Sequence, residues 1–246
     1  MPYDKSLKES LIEEKLKLKD MTLKKKLEYL WEYYKIPFII IVAILFFIIT
    51  FTRDYIKNSR PIFLDAAFIN VDIVGYDDNT VKNDYIEYAK VDTDKYNLYF
   101  DTQFSIKDVE MDQMSIANME KLAAMYAAQE FDLVVGPDYL MDQYGRSGAH
   151  AHIDKIFPKD FIDKLTAAGY ELYITEEYDD LDNPKNISKY PAGIYLDNCE
   201  YFNTLDGFDA FTSIKNEGNR PVLTVAGCVK NIDNALLFIK MITGIE

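Results

Sequence analysis

The spacing of apolar residues divides the chain before any composition is counted. Residues 36–52, IPFIIIVAILFFIITFT, carry no charge and put Ile or Phe on every helical face. That pattern predicts a membrane-spanning helix, since a core helix of a soluble protein keeps a polar stripe. Seventeen residues at ~1.5 Å each reach about 26 Å, slightly short of a ~30 Å hydrocarbon core. The flanks make up the difference: Trp31, Tyr33, Tyr34 and Tyr55 suit the two interfaces, and Lys35, Arg53 and Lys57 can extend their charges outward. Pro37 falls near the start of the run, where a kink is tolerable.

Two shorter helical patterns precede the run. Ser6 with Glu9 fits a capping box, followed by Leu7, Leu11, Ile12 and Leu16. After Asp20 or Thr22 as cap, Leu23, Leu27, Leu30, Trp31 and Tyr34 recur at helical spacing, so a second helix is expected to run straight into the membrane. Residues 1–35 hold nine lysines against seven acids, a surplus of two, so the −14 chain leaves −16 on the remainder. Lysine density before the span predicts a cytoplasmic N-terminus and an external C-terminal domain. A cleaved leader is disfavoured, because its basic region would be 35 residues long and no small-x-small site follows the apolar run. Lys24, Lys25 and Lys26 either set this topology or meet an anionic lipid surface or a cytoplasmic partner.

Beyond about residue 58 the pattern changes to strand-length apolar segments separated by amphipathic helices. Strands are predicted at 62–71, 96–104, 131–135, 170–175, 194–197 and 221–226, and helices at 115–129, 137–144, 159–167 and 232–242. Interleaving of this kind argues for an α/β fold, a compact mixed sheet flanked by helices. The organisation read from the chain is therefore 1–35 cytoplasmic helical segment, 36–52 transmembrane helix, 53–60 linker and 61–246 extracytoplasmic α/β domain.

Composition narrows the function classes. A chain of 27 basic and 41 acidic residues lacks the footprint of a nucleic-acid binder. Two histidines and ten glycines leave little for a His-rich metal centre or a phosphate-cradling loop. No catalytic constellation stands out; Ser147 lies in GRSG and not in a GxSxG elbow. The acidic runs Asp77-Asp78-Asn79 and Glu176 to Asn183 lack EF-hand spacing and read as solvated loops.

Three groups of residues remain as candidates. Gly136, Asp138 and Tyr139 stand where a strand passes into a helix, a position where open α/β sheets bind ligands and free N–H groups attract anions, unless Asp138 caps those groups itself. His150 and His152 are two apart; in a strand their rings would share a face and offer a weak metal site with Asp142 and Asp154 nearby, but zinc needs three or four such ligands and a surface loop is the favoured reading. Cys199 and Cys228 each follow a strand segment, so they form either a disulfide, if those strands are neighbours, or two buried free thiols.

The passage from Asn118 to Gly169 and the closing NIDNALLFIKMIT from Asn231 resemble the first lobe of extracellular solute-binding proteins of the periplasmic-binding type II class. Asp132 and Gly136 match that family's strand ends, and His152-Ile153-Asp154 stands where it has an aromatic followed by Asp-Leu. The external part is too short for a second lobe, so the resemblance implies a truncated, anchored relative. The N-terminal MTLKKKLEYLWEYYKIPFIII is similar to anchors of single-pass membrane proteins of Gram-positive bacteria. The expected function is a non-enzymatic, plasma-membrane-anchored module that binds a small ligand or a protein partner outside and needs no cofactor. A structural subunit of an envelope complex, or a metal-assisted envelope enzyme using His150 and His152, is the alternative.

Overall fold

The computed structural model describes residues 21–73, 79–107, 112–205 and 207–246, with Glu13, Lys15, Leu16 and Lys19; for Leu30 and Tyr33 it describes the backbone only. The helix predicted around Ser6, Leu7 and Leu11, the Asp20 cap and the Asp77-Asp78 pair lie outside the described residues. The chain forms two compact units, divided between Ser59 and Arg60.

The first unit is dominated by one helix, α1 (Leu23–Asn58), with Thr22 at its N-cap and Pro37 inside it. Its portion from Tyr34 to Asn58, 25 residues with no side chain buried, is long and apolar enough to cross a membrane. At ~1.5 Å per residue it covers about 38 Å, more than the hydrocarbon core requires. The expectation of a linker at 53–60 is corrected: Arg53 to Asn58 are the last turns of α1, and the helix stops only at Ser59. No proline or glycine interrupts residues 53–58, so helix continues past the apolar run into its charged flank until Ser59, whose hydroxyl donates to the Tyr55 carbonyl at 2.7 Å.

The second unit is a six-stranded sheet in the order β2-β1-β3-β6-β5-β4. Its strands are β1 (Ile62–Ile69), β2 (Asn97–Phe104), β3 (Leu133–Pro137), β4 (Leu172–Tyr178), β5 (Ile187–Tyr195) and β6 (Pro221–Val225). β1 pairs in parallel with β2 and β3, and β6, β5 and β4 join antiparallel in turn. The sheet is therefore mixed, as expected. The helices are α2 (Thr80–Ala89), α3 (Gln113–Ala127), α4 (Asp138–Gly145), α5 (Ile153–Ile156), α6 (Lys159–Ala167), α7 (Glu200–Asn203), α8 (Thr212–Asn216) and α9 (Ile232–Thr243).

Strand alternation sorts the core into two layers. Leu64, Ala66 and Phe68 of β1, Leu133 and Val135 of β3, and Leu223 and Val225 of β6 face the larger layer, with Tyr85, Phe161, Phe202, Ile214 and Phe238 from α2, α6, α7, α8 and α9. Ala67 and Ile69, Val134 and Val222 face the other, under Leu122 of α3 and Leu140 and Met141 of α4. In β5 the parity switches: Tyr173 pairs with Gly193 but the next residue, Ile174, pairs with Pro191, so Ala192 is an extra residue. Tyr190 and Ala192 consequently face the α3–α4 side while Ile194 faces the other. A Cβ at Gly193 would run into the Leu223 carbonyl, which is why the bulged strand carries glycine there.

The disulfide reading is corrected. Both cysteines are free thiols, and they belong to opposite layers of the sheet. Cys199 Sγ donates to the Ile242 carbonyl at 3.3 Å, and Cys228 Sγ to the Phe131 carbonyl at 3.7 Å. The two strand segments that precede them are neighbours, but the chain leaves them on different faces.

One carboxylate fastens the sheet to its last helix. Asp132, 2% exposed, accepts from Asp65 N at 3.1 Å, Lys230 N at 2.9 Å, Asn231 N at 3.2 Å and Asn231 Nδ2 at 3.2 Å. It thus joins β1, the start of β3 and the residues that lead into α9.

Candidate functional site

The strand-to-helix turn after β3 is filled from within. Gly136 is buried, and a Cβ there would press on Ile69 Cβ at 3.0 Å and Met141 Cε at 3.2 Å. Asp138 Oδ1 accepts from Tyr139 N at 3.0 Å and Arg220 N at 3.2 Å, so the carboxylate takes up one N–H of the helix start itself. Arg220 in turn donates to Asp197 and Glu171 and lies over the Tyr195 ring at 3.6 Å. Tyr139 packs half-buried against the α3–α4 layer. Gly136, Asp138 and Tyr139 line none of the three cavities that follow.

The histidines do not sit in a strand, and their rings part. His150 makes an isolated bridge to Ala226 and turns into the core, 3% exposed, between the rings of Tyr126 and Tyr173 at 6.3 and 6.4 Å. Its Nε2 lies 2.9 Å from the Met141 carbonyl, which can only accept, so Nε2 carries the proton and Nδ1 is a bare acceptor. Among the described residues Nδ1 has no hydrogen-bond partner. His152 points elsewhere and stacks on Tyr190, with ring centroids 3.6 Å apart and planes 16° off parallel. Among the described residues no group of three or more His, Cys, Asp or Glu could hold a metal ion. The strand geometry that would have made a weak metal site of the two rings is not formed, and the expected surface loop is corrected at His150, which is buried.

Burial gives His150 a consequence of its own. It pushes the imidazole down to about 4, against a smaller opposing effect of the Met141 hydrogen bond. Above pH ~6.5 both folded and unfolded imidazoles are neutral and the residue adds no pH dependence. Between pH ~6.5 and ~4 only the unfolded chain takes up the proton, so stability falls with pH, by about 3 kcal/mol in all. The expected result is that His150→Gln removes this part of the acid-side slope in urea denaturation of the full chain. Parallel slopes in the two proteins would contradict it.

Both histidines nonetheless line one cavity, of about 740 Å³, at the C-terminal end of β6. Tyr190 from β5, Glu177 from β4, Lys155 from α5 and Lys230 after β6 complete its wall. Tyr190 hydroxyl donates to the His150 carbonyl at 3.1 Å, which fixes the stacked pair. Lys155 and Lys230 are exposed and have no carboxylate partner among the described residues. The cavity therefore combines a flat aromatic floor, a buried bare acceptor and two free cations. Sequence reasoning reached His150 and His152 but not Tyr190, Lys155 or Lys230; the three come from separate segments, and only the sheet brings them together.

A second concavity, about 680 Å³, follows β1 and the edge strand β2 and contains Asp65, Tyr99, Asp101, Met125 and Glu130. A third, about 420 Å³, lies where β1 and β2 end, between Asn70 and Lys107. Asp72 there accepts from Ser213 N and Oγ at 2.8 Å each, which ties it to α8.

Fold and sites together define a mixed α/β unit that follows a helix able to cross a membrane. Comparison with protein-family models, curated proteins and solved structures finds no match.

Proposed function

We propose that the chain is a single-pass membrane protein whose α/β unit stands outside the cytoplasm and binds a small organic anion, a carboxylate or phosphate, in the cavity beside His152. The observation that carries this reading is the pair of lysines, Lys155 and Lys230, that flank one concave site without an acidic partner among the described residues. In a chain with 41 acids to 27 bases, unpaired cations facing a common cavity are chemically selective. The flat face of His152, held on Tyr190, supports an apolar or ring portion of the ligand. The lysines preceding the span support the orientation. The resemblance to a solute-binding lobe supports a binding module in place of an enzyme.

The test is thermal unfolding of the full chain in detergent with pooled carboxylates, sugar phosphates and nucleotides. A ligand present at about 100 Kd adds ~2.7 kcal/mol to the native state and raises the midpoint by a few degrees. The shift is expected to vanish in Lys155→Gln/Lys230→Gln, whose altered side chains are exposed and whose fold is checked by its far-ultraviolet spectrum. Absence of any shift in the wild type, or an equal shift in the double variant, overturns the proposal.

A further inference from the structure

We propose that the trough along β1 and β2 is a second ligand site, one that binds an organic cation, a primary ammonium or a guanidinium, against Asp65. β1 reads IFLDAAFI, and the single acid in that run faces the same side as Ala67 and Ile69. Asp65 is 6% exposed, lines the trough, and its carboxylate has no hydrogen bond or ion pair among the described residues. Its own backbone N–H goes to Asp132, whose carboxylate is fully engaged with the residues leading into α9. A buried carboxylate without a partner is costly, and a cation entering the trough removes that cost.

The surroundings select the kind of cation. Tyr99 is the register partner of Asp65 on β2, so the two side chains stand side by side on one face, and Tyr99 is 43% exposed. Its ring offers an ammonium or guanidinium group a π-face next to the carboxylate. Asp101 is the partner of Ala67 on the same face, and Glu130 stands at the rim; Asp101 is paired with Lys121, whereas Glu130 has no ion pair among the described residues. Burial first, then the carboxylates of Asp132, Glu130 and Asp101, push Asp65 up to about 7, with Lys230 pulling the other way. The field in the trough therefore favours positive charge. The acids are spread along the trough, and no three of the described residues could hold a metal ion, so a cation with a carbon skeleton and separated charges fits where a bare metal does not. The site lies on other strands than the lysine-flanked cavity and shares none of its lining residues, although Lys230 of that cavity acts on Asp65 through its charge.

The experiment is titration calorimetry of the full chain in detergent at pH 8, with 1,4-diaminobutane as the probe. 1,4-Butanediol is its uncharged analogue, and calcium is the inorganic control. The expected result is binding of the diamine, none of the diol, no displacement by equimolar calcium, and affinity at least tenfold weaker in Asp65→Asn. That variant keeps the shape of the side chain and removes the repulsion from Asp132, so its fold is retained; Glu130→Gln, at the exposed rim, is a second variant expected to weaken binding severalfold. No binding by the wild type, undiminished binding in Asp65→Asn, equal binding of the diol or displacement by calcium would overturn the proposal.

Discussion

Asp132→Ala is expected to lower the stability of the α/β unit by about 4 kcal/mol. The buried carboxylate accepts four hydrogen bonds, from Asp65 N, Lys230 N, Asn231 N and Asn231 Nδ2. Each bond to a charged acceptor is worth roughly 1.5 to 3 kcal/mol, and the donors left behind are desolvated. The full sum is not reached, for two reasons. Water can follow the residues that lead into α9 when they loosen, and the loss of the Asp132 charge relieves Asp65, whose raised pKa that charge helps to cause. Urea denaturation of the full chain, followed by tyrosine fluorescence, measures the change. Asp132→Asn keeps one accepting oxygen and should fall between the two. A loss below about 1 kcal/mol in the alanine variant would mean that Asp132 is not what fixes α9 to the sheet.

Element positions were legible where periodicity and tertiary burial agree. The helices at 159–167 and 232–242 appear as Lys159–Ala167 and Ile232–Thr243 because their apolar faces meet one layer of the core. β5 was expected only at 194–197, yet it runs from Ile187 to Tyr195. Its polar first half, Ile187-Ser188-Lys189, carries no burial pattern, and it is a strand because it pairs with Glu177 and Tyr178 of β4. Pairing of that kind is a long-range property that no local window contains. α2, α5, α7 and α8 were not foreseen; the last three have four or five residues each, too few to establish a helical period.

The sites divide in the same way. Asp138 takes the Tyr139 N–H at the turn after β3 and also ties that turn to Arg220 N, a tertiary contact that the local sequence does not contain. For His150 and His152 the sequence favours a surface loop, with a shared face only if the segment were a strand. A single bridge to Ala226 replaces that strand, so one ring is buried while the other stacks on Tyr190. Asp65 had a visible signal, one acid amid seven apolar residues of β1, but nothing local says that its carboxylate lacks a partner. Partnerlessness is settled by what the neighbouring strands and helices present, and here the neighbours present more acid.

The largest expected effect on location comes from charging the centre of α1. Between Phe38 and Phe51 the helix has twelve Ile, Leu, Val or Phe residues, which on an insertion scale contribute about −0.3 to −0.6 kcal/mol each, or roughly −4 to −7 in total. One lysine near the midplane costs about 2.5 to 3.5 kcal/mol, so Ile44→Lys or Ile48→Lys alone should leave the chain membrane-integrated. The two together cost about 5 to 7 kcal/mol, and forfeit two isoleucines besides, which brings insertion to balance or beyond. In the double variant, half or more of the protein should leave the membrane pellet on carbonate extraction, while each single variant stays. Arg60–Glu246 is a compact unit with its own core, so the released protein should keep its far-ultraviolet spectrum in that part of the chain. Protease added to intact cells should digest the α/β unit of the single variants, as the proposed external placement of that unit predicts, and spare it in the double variant. A double variant that resists carbonate would show that the helix is held by protein contacts and not by the bilayer. Single variants protected from external protease would place the α/β unit, and with it both proposed ligand sites, on the cytoplasmic side.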